Sequence, residues 1–247
     1  MQRKPAFLKD HTFMLLPLRD SYRMANKEQS LNGPTEQTPA MSGKTRTNPT
    51  IFSDAEMLSW KPLFLIRHPS AVYSSWLRAE GEPMPDLHTA VSRMFTMLRA
   101  QREVFEWYQH QRQHHQGTPT PIVIDADDIM LSSPETPESA LHKLCDALGM
   151  DKSKLVFSWP ADEAARTAGA GIDNGLQGDA RVGRFLHTIR SSTGVENAKI
   201  ARDCDLDACV EEWKQTFGSE AAVMLAERVK ESEDDWRYLS RYCLRSG

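Results

Sequence analysis

Two short segments of this 247-residue chain carry side chains suited to holding and activating an anion. In one, the apolar run Pro62-Leu-Phe-Leu-Ile66 is followed at once by Arg67-His68-Pro69-Ser70, and Ser75 stands eight residues after Arg67. A guanidinium presents a planar fork of donors that matches two phosphate oxygens. A hydroxyl in the first turns of a helix adds a donor near the positive end of the helix dipole. A strand-end arginine is also a common surface ion-pair residue, so the pattern alone leaves both readings open. In the other segment, Lys9-Asp10-His11 follows the short apolar run Pro5-Ala-Phe-Leu8. An imidazole can take a proton near neutral pH, and an ammonium stabilises charge developing on a nearby oxygen. A histidine hydrogen-bonded at a strand edge is the competing reading.

These residues need elements to position them. The uninterrupted apolar runs 62–66 and Ile122-Val-Ile124 suit parallel strands, and Pro5–Leu8 has strand length as well. Pro69 is placed for the first turn of a helix, where its missing N–H costs nothing. Leu87, Val91, Met94, Phe95, Leu98, Phe105 and Tyr108 recur at three- and four-residue steps, predicting one long helix from Leu87 to about His114. Further helices are predicted over Pro137–Leu148, stopped by Gly149, over Ala208–Phe217 and over Glu220–Tyr242. On the last of these, Val223, Leu225, Val229, Trp236 and Leu239 form the apolar face. Residues 26–50 read as a long mobile loop and Ala161–Asp179 as a second loop. Strands alternating with helices predict an α/β fold with a mostly parallel sheet. The chain reads as one domain over 1–247, with a helical C-terminal part at 196–247. In such sheets anions sit at the carboxyl ends of strands, where helices begin. Both segments lie at such ends.

Composition narrows the function. Hydrophobic residues make up 40% and charged residues 26%, with six Trp, which suits a packed core rather than global disorder. The net charge of −4 argues against nucleic acid as a partner, because neutralising a polyanion needs a basic face, but leaves room for a small cationic crevice. Cys145, Cys204, Cys209 and Cys243 have no C-x-x-C spacing, which excludes a zinc ribbon or thioredoxin-type motif. They read as reduced cytosolic thiols. No apolar run approaches the ~20 residues of a membrane span, and Lys9, Asp10 and His11 interrupt the apolar N-terminal stretch, so a cytoplasmic protein with no membrane partner is expected. His110, His114 and His115 lack a Glu or Cys at matching spacing, so no metal is expected, and Asp125, Asp127 and Asp128 suit a helix cap. His68, Ser70, Ser74 and Ser75 do not form G-x-S-x-G. Gly43-Lys44-Thr45 lacks the upstream glycine of a Walker A loop, since Thr38 holds that position, and reads as solvated loop.

FLIRHPSAVYSSW, residues 64–76, resembles the 3′-phosphate-binding motif of PAPS-dependent sulfotransferases, in which a strand ends in Arg-Asp-Pro or Arg-His-Pro and a Ser follows eight residues after the Arg. FLKDH, residues 7–11, is similar to the Lys-Thr-His of the same family. Residues 121–150 resemble its strand, acidic turn and helix. Residues 48–69, Ser191-Ser-Thr-Gly194 and Trp236-Arg-Tyr-Leu239 look like a subfamily known mainly from fungi. The resemblance implies a three-layer parallel sheet flanked by helices, the family's P-loop fold. It implies transfer of a sulfonate from PAPS, as co-substrate, to a hydroxyl or amine of a small-molecule acceptor in secondary metabolism, without a metal. Arg67 and Ser75 would hold the 3′-phosphate, His11 would be the general base, and Lys9 would neutralise charge on the transferring sulfonate. Arg181 and Gly183 are the nearest match to the family's Arg-Lys-Gly phosphate segment, and equally fit the start of a basic surface helix. There is one departure. The family's 5′-phosphosulfate loop should precede FLKDH, yet only six residues precede Phe7. The chain is therefore expected to be N-terminally truncated, lacking that loop with its strand and helix. The alternative expectation is a non-catalytic remnant, or an accessory biosynthetic protein that binds a nucleotide or metabolite without sulfonate transfer.

Overall fold

The two apolar runs in the middle of the chain form the sheet. In the computed structural model, Leu63–Ile66 (β1) and Ile122–Asp125 (β2) pair in parallel, in the register Leu63↔Ile122 to Ile66↔Asp125. The structure describes residues 9–27, 47–133, 135–136, 139–160, 180–195, 200–201 and 204–244. All of β2 is buried, as a strand covered on both faces must be, whereas β1 buries Phe64 and Ile66 and leaves Leu65 49% exposed. Outside this pair, Gln101 Nε2 donates to the Leu65 carbonyl at 2.8 Å, and the Leu244 N–H donates to the Val123 carbonyl at 2.9 Å. Edge groups are thus satisfied by a side chain and by the C-terminal segment. Among the described residues this two-stranded parallel sheet, packed with helices, is the α/β element of the fold. The strand predicted at Pro5–Leu8, the loop predicted at 161–179 and the Gly43-Lys44-Thr45 segment lie outside the described residues.

A 3-10 turn at Thr12–Leu15 leads into α1 (Leu18–Lys27). The predicted loop therefore cannot begin at Asn26. Ala25 and Ser21 are buried, and the Ser21 hydroxyl donates to the Phe13 carbonyl at 2.8 Å, so the helix is held by packing that composition does not reveal. α2 (Asp54–Ser59) starts on a capping box between Ser53 and Glu56. α3 (Pro69–Glu80) follows β1 directly. The long helix predicted from Leu87 is two, α4 (Ala90–Phe95) and α5 (Arg99–His114). Thr89 caps α4 through the Ser92 N–H, and the buried Thr96 hydroxyl donates back to the Ser92 and Arg93 carbonyls at 3.0 and 3.3 Å. Such back-bonding competes with continuation of the helix, and the chain turns there. β2 leads into α6 (Ala126–Met130). α7 (Ala140–Leu148) ends at Gly149, whose left-handed backbone (φ 68°, ψ 34°) closes it. α8 (Ala180–Ser191) precedes the C-terminal part, which holds α9 (Leu206–Phe217) and α10 (Ser219–Ser240).

α10 organises the molecule, packing against α3, α5, α9 and both strands. One apolar cluster joins Phe64, Ile66 and Val123 to Phe105, Trp107, Tyr108 and Leu239. A second joins Tyr73, Trp76 and Leu77 to Trp213, Ala222, Leu225 and Val229. α10 also buries a polar stripe at helical spacing. Arg228 and Arg93 share Glu231 at 2.9 and 2.8 Å, Ser232 accepts the Tyr73 hydroxyl at 2.5 Å, and Asp235 accepts from Arg102 at 2.9 Å. Val223, assigned to the apolar face from periodicity, is 51% exposed. Among the described residues no helix is long and apolar enough to cross a membrane.

The cysteines differ from expectation. Cys204 and Cys209 form a disulfide, while Cys145 and Cys243 are free. The reason is local. Asp205 caps α9 and its carbonyl accepts the Cys209 N–H at 2.9 Å, so the first helical turn brings Cys209 back to the residue just before the cap.

Candidate functional site

The end of β1, α3, α8 and the start of α9 enclose a cavity of about 890 Å³. Arg67 enters it from the strand end, Ser70, Ser74, Ser75 and Arg78 from α3, and Gly183, Arg184 and His187 from α8. Ile200, Ala201, the Cys204–Cys209 disulfide, Glu212 and Trp213 complete the wall. Among the described residues, three arginines and one carboxylate line the cavity, a cationic lining in a chain with a net charge of −4.

The register of the sheet sets the position of Arg67. Ile66 lies opposite Asp125, so the residues following the two strands sit side by side. Arg67 Nε is 3.9 Å from Asp127 Oδ1. Asp127 is fully buried, and its Oδ2 accepts the Ala201 N–H at 2.9 Å. The Arg67 side chain keeps 21% of its surface exposed. Burial pulls the guanidinium below its ordinary value, and Asp127 and then Asp125 oppose this. A guanidinium starts so high that it stays cationic. The acidic turn is thus capping and ion pairing in one: Asp125 caps α6 by accepting the Asp127 N–H at 2.9 Å, and Asp127 holds Arg67. Among the described residues no group of three or more His, Cys, Asp or Glu is arranged to hold a metal.

The N-terminus of α3 is closed by its own histidine. His68 Nδ1 accepts the Ser70 N–H at 3.3 Å and lies 2.7 Å from the Ser70 hydroxyl. Its Nε2 is 3.4 Å from Glu233 Oε2, and Trp236 meets the ring edge-on at 4.8 Å. A nitrogen that accepts a backbone N–H is unprotonated, so the ring is neutral with its proton on Nε2, toward Glu233. Burial lowers the pKa of His68, against Glu233 and Asp127, which raise it.

Along α3, the Ser74 hydroxyl is engaged by the Ser70 carbonyl at 2.7 Å, while Ser75 is exposed at the cavity. Arg78 reaches Glu212 at 3.4 Å. Two arginines pin α8 to the far end of α3. Arg181 pairs with Glu80 at 2.6 Å and is not among the lining residues. Arg184 donates to the Ala79 carbonyl at 2.8 Å and to the Glu80 carbonyl. Arg184 caps the carbonyl end of α3, where cations are stabilised. Gly81 is needed there: its φ is 70°, and a Cβ would come within 2.7 Å of the Arg184 guanidinium.

The structure therefore brings Arg67, Ser75 and Gly183 to one cavity. Lys9 and His11 are exposed and do not line it. His11 stacks on Phe13 at 5.6 Å, Phe13 meets Phe95 at 5.0 Å, and Phe95 stacks on Trp76 of α3 at 5.7 Å. A run of rings thus connects His11 to the helix that carries Ser75. Trp60 and Trp107, like Trp76, lie in or against the apolar clusters and away from the cavity lining. The sequence reading missed Asp127, Arg78, Arg184, His187 and the His68–Glu233 contact. Asp127 had a signal, since two parallel strands ending in Ile66 and Asp125 must place their following residues together. The others depend on how α8, α9 and α10 pack.

The chain is similar to known proteins along nearly its whole length. It is 27% identical over 257 residues to sulfotransferase ppzF of Metarhizium majus, spanning 99% of this chain and 71% of that protein. It is 25% identical over 256 residues to sulfotransferase ppzF of Metarhizium rileyi, with the same shares covered. No family model matches the chain, and no solved structure matches it. The similarity supports a sulfotransferase-like family and, at that level, a transferase activity.

Proposed function

We propose that the protein transfers a sulfonate from PAPS to a hydroxyl or amine of a small molecule in secondary metabolism, on the three-layer P-loop fold of the sulfotransferases and within a subfamily known mainly from fungi. The observation that carries this is the meeting of Arg67 and Ser75 in one cationic cavity at the carboxyl end of a parallel strand. A 3′-phosphate there would take a charge-assisted fork from Arg67 and a hydroxyl from Ser75, with Gly183 leaving room for close approach to α8. Asp127 keeps Arg67 pointing along the strand end without neutralising the whole crevice, since Arg78 and Arg184 also face it.

The chemistry assigns the remaining roles. Attack by an acceptor oxygen on sulfur needs a base for its proton, and the departing phosphate needs a cation as the sulfur–oxygen bond breaks. In this proposal His11, linked to α3 through Phe13, Phe95 and Trp76, takes that proton, and Lys9 meets the developing charge.

Equilibrium binding of adenosine 3′,5′-bisphosphate, paired with turnover of PAPS over a panel of phenols, alcohols and amines, tests the reading. Binding with turnover is expected, and the His11→Ala variant should bind the nucleotide normally and turn over at least 100-fold more slowly, the scale of a lost general base. Binding without turnover would leave a nucleotide-binding protein and remove the transfer step. Absence of binding would remove the whole proposal.

A further inference from the structure

His68 has no role in the reading above, yet it occupies the donors that an anion at this helix would use. Its Nδ1 is met by both the N–H and the hydroxyl of Ser70, at 3.3 and 2.7 Å, and Ser70 lines the cavity beside Arg67. His68 and Ser70 are 8% and 2% exposed, so water does not stand in for these contacts. With neutral His68, the Ser70 hydroxyl spends its proton on the imidazole, and the cavity is offered an oxygen lone pair. A phosphate or sulfate needs donors instead.

Resting on the proposed anion site, we propose that His68 is a positioning residue that couples anion binding in this cavity to uptake of a proton. A proton from solvent joins Nδ1 and turns it from acceptor to donor. Nδ1–H then donates to the Ser70 oxygen, and the Ser70 O–H and N–H are released to the bound anion. No other bond changes. The surroundings suit the charged ring. Glu233 Oε2 lies 3.4 Å from Nε2 on the α10 side, with Arg237 holding the other carboxylate oxygen at 2.8 Å. Asp127 adds negative charge from α6, while Arg237 of α10 opposes the charged ring. Arg67, next to His68 in sequence, faces the cavity, where a bound anion would offset its charge. Burial keeps His68 neutral in the free protein, so the proton must be acquired on binding rather than carried beforehand. The site would thus hold an anion with two further donors, made available only when the anion and the proton arrive together.

His68→Asn is the decisive variant, because the asparagine oxygen can accept the Ser70 N–H as a helix cap but does not titrate. Calorimetric binding of adenosine 3′,5′-bisphosphate near neutral pH, in two buffers of different ionisation enthalpy, gives the number of protons taken up. The nucleotide's own phosphates contribute equally in both proteins. The wild type should take up about one proton more per nucleotide than His68→Asn. Its affinity should also fall up to about tenfold per pH unit faster above neutrality. A parallel NMR titration of the His68 ring with inorganic sulfate, which does not itself titrate here, should show its pKa rising on binding. Equal proton numbers in the two proteins, or a ring pKa unmoved by saturating sulfate, would overturn the inference while leaving the nucleotide site standing. Failure of both anions to bind would overturn the inference together with the site.

Discussion

Arg67 serves two masters, the buried carboxylate of Asp127 and the anion proposed for the cavity, and a double substitution separates them. Arg67→Ala removes a side chain that is 21% exposed from a carboxylate that is fully buried. Breaking a fully buried ion pair from one side costs about 3–5 kcal/mol. Here the separation is 3.9 Å, the arginine is partly solvated, and Asp127 retains the Ala201 N–H, so about 2–3 kcal/mol is the reasonable size. For a chain of this length that lowers Tm by about 4–12 °C. Adding Asp127→Asn removes the stranded charge while its carboxamide oxygen can still accept from Ala201, so most of the stability should return. Nucleotide affinity should not return: loss of a charge-assisted fork, worth about 1.5–3 kcal/mol, leaves binding weaker by roughly 10- to 100-fold in both variants. Thermal unfolding and calorimetric titration of adenosine 3′,5′-bisphosphate read the two effects separately. If the double variant regains affinity along with stability, Arg67 acts on the fold and not on the ligand, and the assignment fails.

Three further predictions bear on the same region. Gly183→Ala places a Cβ where nothing lies within 4 Å, so it should stabilise α8 by about 0.5–1 kcal/mol in urea unfolding. It should nonetheless weaken nucleotide binding if the phosphate approaches that backbone, and unchanged binding would take Gly183 out of the site. Reduction of Cys204–Cys209, or its replacement by two serines, opens a short loop and should cost about 2 kcal/mol. Because both cysteines line the cavity, nucleotide affinity should fall with it, whereas an affinity indifferent to reductant would show that this wall is not part of the binding surface. The lowered pKa of His68 makes an acid-side prediction. The unfolded chain protonates this ring near pH 6.5, before the folded protein does, so stability is full above that value and is lost as pH falls through the lower folded value. The difference in Tm between wild type and His68→Asn should therefore grow against the wild type as pH drops below about 6.5, and a constant difference would mean that His68 is not buried as a neutral ring.

What the sequence shows and what it conceals divides along the range of the interactions. β1, β2 and the stop of α7 at Gly149 are local: an apolar run buried in a parallel pair and a glycine in the left-handed region are each decided by a few adjacent residues. Arg67 and Ser75 belong to this class too, because one strand end and one helix place both at the cavity. The break between α4 and α5 was hidden because apolar spacing continues straight through Thr96, while the hydroxyl that turns the chain is polar and enters no periodicity. α10 conceals more. Its buried residues Arg228, Ser232 and Asp235 recur at helical spacing, as core residues would, but they are charged or hydroxylic. They are buried only because Leu87, Tyr73 and Arg102, more than a hundred residues earlier, supply partners to them. The cavity wall from α8 and α9 is of the same kind. The core of the proposed anion site is thus written in nine consecutive residues, 67–75. The groups proposed to control it, Glu233 through His68 and Asp127 through Arg67, enter from elements that pack beside that segment. Substitutions at Arg67 and Ser75 should accordingly change affinity directly, while those at His68 and Glu233 should change how affinity depends on pH.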